Sequence, residues 1–234
     1  MPQVTSVRPG LRLTVLGTGY LGLAHAVTLL AEILGADPRI GGSYMVPGRG
    51  FGGACLPKDI RAFVTRAAEL GAAEALNFLT EIDAINLRCR NRMIDLVKKV
   101  LGGSVTGQAI SILGLSFKAD SDDIRDSPAL ASAKAVHKLG ANVTVYDPVA
   151  ILKVRKECPG LVYAGSVIGA AHKSDVILLL TEWLEFGEAD PEILGKAVAH
   201  RNMVDGRNAL DSRPWRSADW DFYALGRPSL TSVS

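Results

Sequence analysis

The period of the hydrophobic positions changes along this chain, and each change marks an element. Residues 11–16 form a short β-rich run that ends in Gly17-Thr18-Gly19-Tyr20-Leu21-Gly22, and an apolar helical segment follows to about Leu30. Ile60, Phe63, Val64, Ala67, Ala68 and Leu70 recur at helical spacing and predict a helix that stops at Gly71. From residue 76 to residue 101 the pattern is amphipathic, with Leu76, Leu79, Ile82, Ile85, Leu87, Ile94, Leu96 and Val97 among polar positions, and Gly102-Gly103 ends it. Residues 109–115 then read as a strand, 127–139 as a helix and 141–146 as the next strand, ending at Asp147. Residues 176–180 and 202–204 supply two more strands, with a helical pattern around 191–199 between them. This alternation predicts an α/β fold, a parallel, doubly wound sheet with ligand sites at the carboxyl ends of its strands.

At 234 residues the chain can bury a real core and allows one or two domains. Its formal charge of +2 is too small to argue for nucleic acid. No apolar run reaches the length of a membrane span, and residues 1–11 lack the apolar core of a signal peptide. Cys55, Cys89 and Cys158 have no metal-ligand spacing and cannot all pair. Free thiols in a reducing cytoplasm, with no metal, are the simplest reading.

Chemistry concentrates in Gly50-Phe51-Gly52-Gly53-Ala54-Cys55-Leu56-Pro57-Lys58-Asp59. Pro57 suits the first turn of a helix, where its missing N–H costs nothing. A thiol just before that helix feels the positive end of the macrodipole, and Lys58 adds a cation nearby. Both favour the nucleophilic thiolate. Asp59 lies four positions on, so its side chain and the thiol can face one cavity. The glycines at 50, 52 and 53 would let a ligand or cofactor approach the backbone. A single cysteine of this kind is more often a buried structural thiol beside a solvated Lys-Asp pair, and it is the run as a whole that favours reactivity. Gly17, Gly19 and Gly22 have the strand, turn and helix context of a dinucleotide fingerprint. The charge-rich loop from Ser116 to Pro128 is either solvated or turned toward a ligand.

Gly-Phe-Gly-Gly-Ala-Cys-Leu-Pro-Lys-Asp resembles the active-site signature of the nucleotide-sugar dehydrogenases, which act on UDP-glucose or GDP-mannose. Gly114-Leu115-Ser116-Phe117-Lys118, with Asp122, Asp123, Arg125, Ser127 and Pro128, resembles a second motif of that family. The run from Asp205 to Asp211, and the later Tyr223-Ala224-Leu225-Gly226-Arg227-Pro228, look most like its bacterial UDP-glucose members. The resemblance implies oxidation of a sugar C6 alcohol to a carboxylate, with two NAD⁺ reduced in turn. Cys55 would capture the aldehyde as a thiohemiacetal, a second hydride transfer would give a thioester, and Asp59 would assist with water or a proton. Gly17, Gly19, Gly22, Lys58 and Arg125 would serve NAD. UDP-glucose would be bound by Tyr44, Gly48, Gly52, Phe117, Lys118 and Arg207, and by Arg39 reaching across a homodimer. A guanidinium suits a phosphate and an ammonium a point contact, so the residue types fit those roles. His25, His137, His172 and His200 match no catalytic position.

One stretch departs from the family's pattern. A second strand ending in an acid should follow the fingerprint about twenty positions on. The chain instead reads Gly35-Ala36-Asp37-Pro38-Arg39-Ile40-Gly41-Gly42-Ser43-Tyr44, which resembles the family's approach to the cysteine loop. Most of an NAD-binding domain, roughly a hundred residues or more, is therefore expected to be missing between the two. The family's catalytic threonine, glutamate, lysine and asparagine go with it. The expected organisation is a remnant Rossmann βα unit over residues 1–34, an active-site loop and central helical dimerisation region over 35–105, and a UDP-sugar-binding α/β domain over 106–234. The long helix could equally cover its own domain's sheet. Two functions result: an NAD-dependent dehydrogenase acting on UDP-glucose, or an inactive remnant that dimerises and binds UDP-sugar. GDP-mannose is the alternative substrate.

Overall fold

The computed structural model describes residues 29–42 and 48–227. The strand expected at 11–16 lies outside the described residues, as do Gly17, Gly19, Gly22 and Tyr44. The chain divides into two compact units, Met1–Pro47 and Gly48–Ser234. Within the first, residues 29–35 are helical and bends and turns follow to residue 40, with no strand among its described residues.

The second unit runs α1 (Leu56–Glu69), a 3-10 turn (Ala73–Leu76), α2 (Asn77–Val100), β1 (Ala109–Leu113), α3 (Pro128–Lys138), β2 (Asn142–Tyr146), α4 (Ile151–Glu157) and β3 (Val162–Tyr163). It continues through α5 (Val167–Ala171), β4 (Val176–Leu179), α6 (Leu184–Gly187), α7 (Pro191–Gly195), β5 (Asn202–Asp205), α8 (Ser212–Ser217) and β6 (Asp221–Ala224). The strands pair in parallel in the order β3-β2-β1-β4-β5-β6. The order reverses between β1 and β4, so the loops leaving those strands diverge and open a crevice at their carboxyl ends. The doubly wound parallel sheet expected from the alternation is the observed fold. Two strands escaped the pattern: β3 is two residues long, too short to show a period, and β6 lies in a run read by resemblance alone.

Side chains alternate across the sheet, and both faces are covered. Ile110, Ile112, Val143, Val145, Leu178 and Val204 enter one core layer with Ala129, Ala133 and Val136 of α3 and with Met93 and Val97 of α2. Leu113, Ile177, Leu179, Met203 and Phe222 enter the other, against Phe186, Leu194, Trp215 and Trp220. The long helix therefore plays two parts. Its last turns cover the sheet, while its first half leaves Phe78, Ile82, Ile85 and Leu87 exposed, as α1 leaves Leu56 and Phe63, with Leu70 just beyond its end. Among the described residues, no helix is long and apolar enough to cross a membrane.

Caps set the helix starts that matter for function. Pro57 sits in the first turn of α1 with Cys55 as N-cap, and the Ser127 hydroxyl accepts from Leu130 N–H at the start of α3. At the end of β2 the buried Asp147 carboxylate accepts from Leu115 N (2.7 Å), Ser116 N (3.2 Å), Val149 N (3.0 Å) and Ala150 N (2.8 Å). It occupies the place where a dinucleotide fold carries its ribose-binding acid, yet here it is consumed in tying the β1 and β2 loops together. Asp147→Ala would orphan these N–H groups and is expected to lower the unfolding free energy in urea by about 3 kcal/mol. A loss under about 0.5 kcal/mol, the level of an ordinary surface substitution, would show that the tie is dispensable.

Candidate functional site

The site is built around the backbone of Phe51. Its N–H donates to Asn86 Oδ1 (2.8 Å), while its carbonyl accepts from Asn86 Nδ2 (3.0 Å) and from Arg90 Nη2 (2.9 Å). Arg90 Nη1 also donates to Asp126 Oδ1 (2.6 Å). One helix thus holds both the cysteine loop and the β1–α3 loop. The buried residues of α2 are Asn86, Arg90, Met93 and Val97, spaced four, three and four apart on a single stripe. Sequence reasoning gave neither Asn86 nor Arg90 a role, because polar positions on an amphipathic helix read as solvated. Extending the apolar stripe back from Met93 and Val97 is the signal that finds them.

The glycines of the loop are filled by the chain itself. A Cβ on Gly50 would lie 2.4 Å from Asn86 Oδ1, and one on Gly52 would lie 2.2 Å from the Asp126 carbonyl oxygen and 2.6 Å from Pro128 Cδ. Gly53, at a φ of +94°, rests against the Phe117 ring, 3.1 Å from where its Cβ would be. On the side where a Cβ would stand, what approaches the three glycines is the chain itself: Asn86, the Asp126–Pro128 turn and Phe117. Asp126 itself takes a left-handed φ of 46°, held there by Arg90.

Cys55 is exposed, whereas Cys89 and Cys158 are half-buried. Arg125 stands on the loop between β1 and α3 and is ion-paired with Asp123 at 2.7 Å. Its guanidinium is held above the usual arginine range chiefly by its hydrogen bonds to Asp123 and by that carboxylate's charge. Lys58 pairs with Asp59 at 3.3 Å on the surface. Asp59 lines an apolar groove with Leu56, Ile60, Phe63, Phe78 and Leu79, and Cys55 is not part of that lining. Lys118 Nζ lies 5.7 Å from the Phe117 ring centroid. Arg39, in the first unit, is exposed and ion-paired with Asp37 at 2.6 Å.

Beyond β5, Arg207 N–H donates to Asp205 Oδ1 (2.8 Å), and its guanidinium grips Glu182 through Nε (2.8 Å) and Nη2 (3.2 Å). A Cβ on Gly48 would lie 2.6 Å from Arg207 Nη1. Next in the loop is Arg49, 1% exposed, whose Nε and Nη1 have no hydrogen-bond partner. Burial, and then the positive charge of Arg207, pull its pKa down to about 9. The folded chain releases this proton before the unfolded chain does. The buried charge therefore subtracts from stability below about pH 9, and its cost is relieved as pH rises beyond that. Arg49 and Glu182 were not singled out from sequence, since an arginine between two glycines reads as a solvated loop residue.

Residues 48–55 therefore run across the carboxyl edge of the sheet. They touch Arg207 at Gly48, Asn86 at Gly50, the Asp126–Pro128 turn at Gly52 and Phe117 at Gly53. Gly52→Ala is expected to push the loop off that turn and to lower stability by about 1–3 kcal/mol, read by urea denaturation. An unchanged midpoint would mean that the loop can retreat without loss.

Residues 111–212 match the UDP-binding domain of the UDP-glucose/GDP-mannose dehydrogenase family, and residues 23–88 match its central domain. The chain is 33% identical over 199 residues to a UDP-glucose 6-dehydrogenase of Rickettsia conorii, covering 84% of this chain and 46% of the relative. It is 35% identical over 199 residues to a UDP-glucose 6-dehydrogenase of Rhizobium meliloti, covering 85% and 45%. A UDP-glucose dehydrogenase structure from Pyrobaculum islandicum superposes with a TM-score of 0.68 at 28% identity, over 83% of this chain and 42% of that one. The chain thus spans about half the length of the curated relatives it matches. With both domain matches falling on the sheet, the long helix and the cysteine loop, this chain belongs to the UDP-glucose/GDP-mannose dehydrogenase family.

Proposed function

We propose that this chain carries the thiol and the nucleotide-sugar site of an NAD-dependent dehydrogenase that oxidises UDP-glucose at C6. One observation supports this above all: the loop at 48–55 bridges the crevice, bringing the Cys55 end against the β1 loop and the Gly48 end against Arg207. Lys118 and Arg207, on loops that follow β1 and β5, would take the phosphates of UDP. Cys55, exposed at the start of α1, would add through Sγ to the aldehyde carbon, the carbonyl oxygen taking a proton. Asp59, exposed beside Lys58, would handle the water or proton. The exposed apolar side chains of α1 and α2 support a homodimer formed through those helices, and three free thiols fit the cytoplasm.

NAD, when bound, supplies the hydride acceptor. The described residues do not build its site: they offer Arg125, with no strand-borne acid after the helix at 29–35. That same observation favours a second reading, in which this chain binds the nucleotide sugar and does not turn it over.

Titration calorimetry should show UDP-glucose bound in preference to GDP-mannose, with Lys118→Met weakening it about tenfold, as loss of one charged hydrogen bond predicts. Equal or absent binding of the two would remove the substrate assignment. Absorbance at the NADH band separates the two readings. Little or no NADH from UDP-glucose is expected, because positioning of the acceptor is a large share of catalysis. Turnover equal to that of a full-length family enzyme, abolished by Cys55→Ser, would rule out the binding-only reading.

A further inference from the structure

The guanidiniums of Arg49, Arg90 and Arg207 act on one another, and among the described residues two of the three have an ion-pair partner. Arg90 has Asp126, and Arg207 has Glu182. Asp205 is taken up by backbone N–H groups, from Arg207 at 2.8 Å and Leu210 at 2.9 Å. Arg49 is left buried with Nε and Nη1 unpartnered, although Arg207, Glu182, Arg90 and Asp205 are the charges that face it. An unpaired buried charge is strongly destabilising, so a fold that keeps one next to a second arginine is short of an anion. A dianionic, many-oxygened group suits two neighbouring guanidiniums better than a second carboxylate does. Glu182, with 36% of its side chain exposed, is the group free to swing away.

We propose that Arg49 is a ligand-binding residue: the diphosphate of the nucleotide sugar displaces Glu182 from Arg207 and bridges Arg207 to Arg49. The proposal rests on the nucleotide-sugar reading for the identity of the ligand, but on the charges alone for the anion. Glu182 then acts as the resident counter-ion that shields Arg207 until the phosphate arrives. Arg49 also explains a trade-off, since the charge that weakens the empty fold is the one that the ligand satisfies.

The test uses the full chain with Arg49→Met, which keeps the length and apolar stem of the side chain, and with Glu182→Gln. Calorimetry with UDP, uridine and inorganic pyrophosphate should show Arg49→Met weakening UDP and pyrophosphate about tenfold or more and leaving uridine unchanged. Glu182→Gln should tighten pyrophosphate, because the resident competitor is gone. In thermal melts without anion, Arg49→Met should unfold at a higher temperature than the parent, and pyrophosphate should raise the parent's midpoint but not the variant's. Unchanged UDP and pyrophosphate affinity in Arg49→Met would overturn the proposal. So would a change confined to oligomeric state, which would assign Arg49's counter-ion to a second copy of the chain. Arg49-dependent pyrophosphate binding with no preference for UDP-glucose would remove the substrate assignment while leaving the anion bridge standing.

Discussion

The clamp on the Phe51 peptide is the interaction on which the site depends. Asn86 satisfies both its N–H and its carbonyl, and Arg90 reaches the same carbonyl while holding Asp126. These are partly buried polar groups, so breaking any one of them strands a donor or acceptor away from water. The clamp also joins three parts of the chain that are far apart in sequence: the cysteine loop, the middle of α2 and the loop after β1. Because Met93 and Val97 continue the same stripe into the core, the clamp is anchored in the layer that covers the sheet. The position of Cys55 is thus inherited from hydrophobic packing two to three turns further along a helix.

The sheet adds a second constraint. In a parallel sheet all the strands end on one edge, and the backbone groups of the loops there need partners. Two buried aspartates provide them, Asp147 after β2 and Asp205 after β5. Burial pushes the Asp205 carboxyl up, against the pull of the N–H groups that it accepts. Among the described residues, the loops at this edge also carry Lys118, Arg125 paired with Asp123, and Arg207 paired with Glu182.

Charge balance in the crevice shows how stability and binding oppose one another. Arg207 is satisfied by Glu182, but Arg49 is buried with its Nε and Nη1 unpartnered. Such a group lowers the stability of the empty protein and raises the affinity for whatever anion completes it. Tight closure is otherwise achieved with glycine, whose missing Cβ lets Asn86, the Asp126–Pro128 turn and Phe117 press against the loop.

Four of the six strands, β1, β2, β4 and β5, were legible in the local pattern of the sequence, as was the glycine-rich loop that carries the cysteine. Runs such as Val176–Leu179 and the helix between Ser127 and Leu139 are set by local periodicity and capping, so the alternation of strands and helices could be read directly. The cysteine's place before a proline-started helix was legible for the same reason. Only the tertiary structure decided what the loop's glycines touch, since a glycine marks a close approach without naming what approaches. It also decided that Arg125 pairs with Asp123, that Asp59 lines an apolar groove, and that Asp147 serves the backbone. Arg49, Asn86 and Arg90 are polar residues in a loop and on a helix, and locally they look solvated. Their burial follows from contacts across tens of residues of chain, which no local pattern encodes.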